Sequence, residues 1–345
     1  MAGNGSAASR SAAPGSDEFA QLANPYRGEL LAHCYRMLGS VHDAEDQVQE
    51  TLLRAWRSYG DFEGRSSMRT WLYRIATNTC LRALETRSRR PLPSGLGAPA
   101  EDADGLVPVP NLDVPWLQPF PDAANGRGGD DPAAVVTARA SMRLALIAAL
   151  QYLPPRQRAV LILRDVLGWH AAEVADLLGT STASANSALQ RARAQIASLA
   201  PAEDDILEPD DPKVRELLAR YAAAFETADV AELTELLRAD AVLEMPPMAI
   251  WFAGRDQVSK FLARRVLVRP GQFAMMPALA NGQPSVAAYE RGADGSYHAH
   301  AIQVLTIRAG LISRITSFND GGLFPAFGLP ARYPDELAPA DRRRG

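Results

Sequence analysis

Two groups of residues in this 345-residue chain have types and spacing suited to chemistry. The first is a run of cations. Between Arg65 and Arg90 lie seven arginines (65, 69, 74, 82, 87, 89 and 90) and a single acid, Glu85. Guanidinium groups in such excess attract phosphate. Trp71, Arg74, Asn78 and Arg82 recur at helical steps, so a stacking surface and phosphate-binding groups share one stripe. Just upstream, residues 41–63 carry six acids (43, 45, 46, 50, 61 and 63) against Arg54 and Arg57. Opposite signs on neighbouring helices imply two different partners. The second group lies in the last third of the chain: Glu244, Trp251, Tyr289, His298, His300 and Asp320 are the candidates to line a pocket. His298 and His300 alternate on one strand pattern and so face one side. A His–Asp pair moves protons if it is buried within hydrogen-bond reach. A metal would need a third ligand, and the sequence offers none. No metal and no cofactor are expected, and no GxxxxGK[ST] loop is present for ATP-driven work.

The elements that must position these residues read as four blocks. Residues 17–90 are rich in helix formers, with no proline between Pro25 and Pro91. Val41, Ala44, Val48, Leu52, Ala55, Trp56 and Tyr59 form the apolar stripe of one helix. The next helix buries Leu72, Ile75, Ala76, Thr79, Cys80 and Ala83. Residues 91–132 are rich in Pro, Gly, Ala and Asp and read as a linker. Trp116 and Phe120, set among prolines, are expected to anchor that linker, either within a partner or on the C-terminal domain. Residues 133–200 are helical again, broken at Pro154-Pro155 and capped at Gly168. An acidic linker follows at 201–211, and from 212 to 330 the pattern changes to helices followed by strands. Residues 1–16 are read as a disordered lead-in and 331–345 as an extension.

Within the third block, Val174, Ala175, Leu178, Gly179, Ala185 and Leu189 carry the pattern of a helix-turn-helix. Ala175 lets a second helix cross closely, and Gly179 accepts the left-handed turn. The second helix begins near Thr182. Thr182, Ser184, Asn186, Ser187, Gln190, Arg191 and Arg193 all suit contacts to bases or phosphates in a major groove. His170 stands where a Ser or Thr cap is common, so the first helix reads as poorly capped.

The stretch AEDQVQETLLRAWRSYGDFEGRSSMRTWLYRIATNTCLRA resembles region 2 of the extracytoplasmic-function (ECF) sigma factors of RNA polymerase. The stretch LPPRQRAVLILRDVLGWHAAEVADLLGTSTASANSALQRARAQI is similar to their region 4. The resemblance implies a cytoplasmic protein that binds core RNA polymerase through its β′ and β subunits, binds promoter DNA and helps to open it. It implies roles residue by residue. Asp46, Gln49, Glu50, Leu53 and Trp56 match the contact with the β′ clamp helices. Phe62, Glu63, Gly64, Arg65, Ser66 and Ser67 match the loop that captures a flipped base of the −10 element. Arg69, Trp71, Tyr73, Arg74 and Asn78 match the helix that tracks the separated strand. The seven polar residues of the second helix-turn-helix helix match the −35 contact. Asn186 and Ala188 stand where many relatives place a cation, so the expected −35 contact is weaker.

The last block opens with Asp211-Pro212, an N-cap with proline at the first helical position. Val214, Leu217, Leu218, Tyr221, Ala222 and Phe225 form a buried stripe. Strands are expected at 242–245, 249–253, 273–279, 285–290, 297–308 and 311–318, with turns at Asn281-Gly282, Asp294-Gly295 and Ala309-Gly310. Helices followed by a meandering sheet make an α+β cone. The order, and the stretch FETADVAELTELLRADAVLEMPP, resemble the SnoaL-like, ketosteroid-isomerase-like superfamily, whose members include enzymes and plain binders. The expected fold is therefore multidomain: two all-α units and one α+β cone. The apolar tail from Asp320 to Pro330 is expected to dock against the helical units and restrain them.

Net charge is −4, so nucleic-acid binding must come from charge distribution and not from the sum. No apolar run approaches the ~18 residues of a membrane span, and the N-terminus lacks the apolar middle of a signal peptide. Cys34 and Cys80 both fall in helical patterns and give no disulfide framework. Two other readings use the same residues: a helix-turn-helix regulator whose C-terminal domain senses a small ligand, and a ketosteroid-isomerase-like enzyme with a DNA-binding region. A regulator needs no strand-separation loop or clamp-docking helix, and proton-transfer activity dependent on His298, His300 or Asp320 would favour the enzyme; the leading expectation is a sigma factor without catalysis of its own, modulated by its C-terminal domain.

Overall fold

The structure, a computed structural model, describes residues 16–103, 108–124, 139–199 and 208–334. Four helices make the first unit: α1 (Ser16–Ala23), α2 (Arg27–Leu38), α3 (Val41–Ser58) and α4 (Met68–Glu85). Helix α3 starts where Ser40 accepts a hydrogen bond from the Asp43 amide at 3.1 Å, and α4 where Ser67 accepts from the Thr70 amide at 3.1 Å. The three- and four-residue stripe of α3 is buried at Val41, Ala44, Val48 and Ala55. Helix α2 ends at Gly39, with φ of 70°. A Cβ there would stand 2.8 Å from Leu117 Cδ1 and 2.9 Å from Gln151 Cδ, so this turn is also where two other segments come closest.

The second unit holds α5 (Leu144–Leu150), α6 (Pro155–Leu161), α7 (Ala171–Leu177) and α8 (Thr182–Leu199). A π-turn at Ile162–Val166 continues α6. Gly168 and Gly179 both take positive φ, 70° and 61°, as the turns on either side of α7 require. Val174, Leu178, Ala185 and Leu189 are buried and form the shared core of α7 and α8. The expected weakness at His170 is offset: the Glu173 carboxylate accepts from the His170 amide at 2.7 Å.

The third unit opens with α9 (Pro212–Thr227) and α10 (Val230–Leu236) and includes α11 (Arg255–Phe261). Its six strands are β1 (Leu237–Glu244), β2 (Trp251–Ala253), β3 (Phe273–Ala280), β4 (Gln283–Arg291), β5 (Tyr297–Arg308) and β6 (Leu311–Phe318). They lie in the order β2-β1-β6-β5-β4-β3, antiparallel except for β1 with β6. One face packs Leu243, Leu305 and Ile315 against Val214, Leu217, Tyr221 and Phe225 of α9. The other face puts Ala287, Ile302 and Val304 into the same core as the helical units. That double cover explains why β4 is buried at seven successive residues: an antiparallel strand that alternates has one face in water, and this one does not.

The segment from 91 to 124 is described except for 104–107, and it is not a passive tether. Leu117 and Phe120 are fully buried and Trp116 nearly so. Phe120 lies against Tyr35 of α2, ring centroids 4.7 Å apart. Its backbone also exchanges hydrogen bonds with Asn281 at the β3–β4 turn. Further upstream, the Ala100 amide donates to Trp251 O, and the Asn111 amide to Pro247 O. The anchor therefore binds the first and third units at once.

Candidate nucleic-acid interface and its cover

Helices α1 and α3 leave an apolar groove of about 480 Å³ between them, lined by Phe19, Ala23, Leu52, Leu53, Trp56 and the Gln49 side chain, among others. Leu53 is 48% exposed and Trp56 42%, a large apolar pair in water. Asp46 is exposed one turn away from Gln49 and Glu50, and Glu50 pairs with Arg54. All five residues expected to meet the polymerase clamp thus lie on one helix beside one groove.

The loop before α4 carries an aromatic cluster. Phe62 and Trp71 have ring centroids 4.8 Å apart, with Tyr59 at 6.1 Å from Phe62 and 6.4 Å from Trp71. Glu63, Gly64, Arg65 and Ser67 are exposed, Ser66 is half-buried, and Arg65 pairs with Glu63 at 3.0 Å. Stacking surface beside exposed polar groups is what capture of an unstacked base requires.

The middle of α4 differs. Arg69 pairs with Glu29 of α2 at 2.6 Å. Tyr73 is buried, donates to Glu29 at 3.2 Å and packs edge-on against Trp169 of the second unit at 6.5 Å. Burial and the Glu29 carboxylate raise the Tyr73 hydroxyl well above the usual phenol range. Arg74 pairs with Asp176 of α7. Asn78, a turn further on, is exposed. Of the residues expected to track a separated strand, Tyr73 is therefore covered and Arg74 is occupied by a carboxylate from the helix-turn-helix.

Helix α8 presents the opposite picture. Thr182, Ser184, Asn186, Ser187, Gln190, Arg191 and Arg193 are all exposed on it. The Ser184 amide is capped by Ser181 Oγ at 3.1 Å. Arg193 is held by Asp165 through two bonds of 2.9 and 2.6 Å. The others form an exposed polar face without an acid.

Three family models match the chain: sigma-70 region 2 over residues 22–90, sigma-70 region 4 over 143–196, and the SnoaL-like domain over 218–315. The ECF RNA polymerase sigma factor SigG of Mycobacterium tuberculosis is 51% identical over 315 residues, covering 91% of this chain and 84% of that one. The chain is an ECF sigma factor. SigJ of the same organism, also an ECF sigma factor, is 31% identical over 319 residues, covering 89% of this chain and 93% of that one. The crystal structure of SigJ superposes with a TM-score of 0.57 at 28% identity, over 92% of this chain and 100% of that one.

In this sigma factor the six residues expected to share a C-terminal pocket do not meet. Glu244 is fully buried on the outer sheet face, bonded to the Ser94 amide and to Arg314. Trp251 donates to Gly97 O of the interdomain segment. Tyr289 lies under the tail and donates to Pro330 O at 3.1 Å. His298 bonds Asp294 and Ser296 in the β4–β5 turn. Asp320 caps a short helix by accepting from the Gly322 amide. Only His300 reaches the interior of the cone, a cavity of about 50 Å³ shared with Phe225, Phe273 and Gln303. Burial lowers its pKa, and Glu290 stands 3.3 Å away. The His–Asp pair that does form is His298 with Asp294, and it is exposed at the end of the sheet.

The tail docks on its own sheet: Phe324 and Tyr333 both meet Tyr289 edge-on, and the Ala299 amide donates to Ala331 O. The β3–β4 turn reaches the sigma units, as do Glu208 and Asp210 ahead of α9, which pair with Arg139 and Arg143. Asn281 is fully buried there. Its Nδ2 donates to Tyr35 Oη of α2 at 2.9 Å and to Met142 O before α5 at 2.8 Å, and its Oδ1 accepts from the Phe120 amide at 2.9 Å. The Gly282 amide donates to Asp122, and Gln283 accepts from the Leu144 amide. A Cβ at Gly282 would lie 2.9 Å from Arg139 O, so only glycine fits. The two helical units also meet directly. Arg36 donates to Ser141 at 2.9 Å, and the buried Arg158 donates to Met37 O, to Gln151 and to Leu153 O. Sequence reasoning found Asn281-Gly282 only as a turn and passed over Asp176, Arg158 and Tyr35. A buried amide in a turn carries the same letters as an exposed one.

Proposed function

We propose that this sigma factor docks on core polymerase through the α1–α3 groove, holds melted −10 DNA on residues 62–67 and α4, and reads −35 duplex with α8. In the arrangement described above its C-terminal domain holds it closed. The observation that carries the closed reading is Arg74 paired with Asp176 while Trp169 covers Tyr73. Asp176 and Trp169 of the second unit occupy the α4 face where the strand would lie, so strand binding requires the second unit to leave α4. Asn281 opposes that departure, because its amide nitrogen bonds Tyr35 of the first unit and Met142 O ahead of α5 at once, and separating the units breaks at least one of these bonds. The groove supports a contact with the β′ subunit, since an exposed Leu53–Trp56 pair beside Asp46 suits an amphipathic, basic helix pair. Region 4 would meet the β subunit, and the site of action is the cytoplasm. The C-terminal domain acts as a regulator and not as a catalyst, because a cone cavity of about 50 Å³ falls far below the ~300 Å³ of ordinary small-molecule sites.

Run-off transcription with core polymerase tests this. The full chain and Asn281→Ala are compared on promoter fragments at equal concentration. Loss of the Asn281 amide removes about 2 kcal/mol from the closed state, so up to about 30-fold more open protein is expected, read as more transcript and tighter binding to single-stranded −10 DNA. Equal transcript from both would sink the closed reading. Failure of Trp56→Ala to weaken binding to core would sink the assignment of the groove.

A further inference from the structure

A second cavity, of about 460 Å³, lies where three segments meet: the interdomain segment at Leu92–Gly95, helix α5, and the outer face of β1, β5 and β6. Its volume falls within the ~300–1,000 Å³ range of small-molecule sites. Its origin is legible in the residues. Helix α5 turns Ala145, Ala148 and Ala149 toward the sheet, and side chains this small cannot fill the space. The sheet opposite ends in polar residues, Asp240, Thr306, Arg308 and Arg314, which do not close over an alanine wall. The result has one apolar wall and one polar wall.

The charges on the polar wall are not equivalent. The Asp240 carboxylate is occupied on both oxygens by Arg238, at 2.8 and 3.1 Å, and that pairing holds its pKa below the ordinary carboxylate range. Arg314 commits only Nη1, to Glu244 at 2.7 Å, and its side chain is 36% exposed. Glu244 itself is fully buried behind it and shared with the Ser94 amide. Arg308 and Arg314 thus line the cavity, with the Asp240 carboxylate held by Arg238 and the Glu244 carboxylate held behind Arg314.

We propose that this cavity is a binding site for a small amphipathic organic anion, a carboxylate or phosphate monoester on an apolar body. The anionic head lies against Arg314 and the Thr306 hydroxyl, and the body lies along Ala145, Ala148 and Leu199. All three walls exist together only in the closed arrangement, so the anion binds that form and stabilises it by mass action. This last step rests on the closed reading proposed above; the site itself does not.

Titration calorimetry on the full chain tests it, with octyl phosphate and octanoate as probes and octanol and octylammonium as controls. One saturable site per chain is expected for each anion, at least tenfold tighter than for either control. Ala148→Phe fills the cavity without touching the Arg314–Glu244 pair and should abolish binding. Arg314→Gln should erase the preference for anions, although it strands a buried carboxylate; for that reason the alanine variant is the deciding one. No saturable binding, equal binding of octanol, or wild-type affinity in Ala148→Phe would each overturn the site. Saturating octyl phosphate should also lower run-off transcription and slow hydrogen exchange at 94–95. Binding that leaves both unchanged would keep the site and remove the closed reading.

Discussion

Helices α4 and α8 carry similar polar side chains and are treated in opposite ways by the rest of the molecule. The polar face of α8 is exposed, with only its Arg193 held by Asp165 of the same unit, whereas the middle of α4 lies under Trp169 and pairs Arg74 with Asp176 of another unit. Both helices are amphipathic, and both show arginine where phosphate contact is expected. On the function proposed above, the difference would place control on melted-strand binding and leave duplex recognition open. A closed molecule would still sample duplex DNA through α8 and would gain the −10 strand only on opening.

The largest effect expected on this contrast comes from Arg158, which joins the two helical units from a buried position that pushes its guanidinium down to about 10. Arg158→Met leaves the carbonyls of Met37, Gln151 and Leu153 without their donor. About 3 kcal/mol of destabilisation is expected in urea unfolding. A loss under 1 kcal/mol would mean that the seam matters less than its geometry implies. Asn281→Ala comes next, at about 2 kcal/mol. In hydrogen exchange it should loosen residues 142–150 and the turn at 120–122 while leaving the α7–α8 core protected. Equal loosening of both would erase the contrast.

A third effect follows from His33, which lies beneath the covered face. Its Nε2 meets Thr77 Oγ1 at 3.0 Å and its ring meets Tyr73 edge-on at 5.2 Å. Burial, with a smaller contribution from Arg36, lowers its pKa from 6.5 to about 3. The unfolded chain therefore binds a proton that the folded one refuses. The stability contribution is complete above pH 6.5 and is lost as pH falls toward about 3. About 2 kcal/mol should be gone at pH 5 if the group behaves as an isolated site. His33→Gln should flatten that slope, and an unchanged slope would show that other groups carry it.

The smallest effects are at the two faces themselves. The Arg74–Asp176 pair is surface-exposed and contributes on the order of 0–1 kcal/mol, less at high salt. Asp176→Asn should raise affinity for single-stranded −10 DNA by up to about fivefold at low salt. Arg191→Ala on α8 should lower the salt slope of duplex binding by about one phosphate, equally in the closed chain and in Asn281→Ala. A larger deficit in one background than in the other would show that α8 is gated too.

The order of the units, the helix stripes, the cap at Asp211 and the turns at Gly168 and Gly179 were legible in the sequence, whereas the caps at Ser40 and Ser67 came from the structure. Each is set by neighbours within a few residues, through helical periodicity, side-chain capping and the freedom of glycine at positive φ. The polar face of α8 was legible for the same reason, since a helix fixes which of its own residues share a side. The cover on Tyr73, the Arg74–Asp176 pair and the dispersal of Glu244, Trp251, Tyr289, His298, His300 and Asp320 were not. The outer sheet face gives the physical reason. A buried β4 reads only as a long apolar strand, and the sequence cannot say what lies against its second face. Asn281 and Arg158 extend the point. Their energies come from partners 139 to 246 residues away for Asn281 and, at Met37, 121 residues away for Arg158, which only the folded arrangement brings within 3 Å.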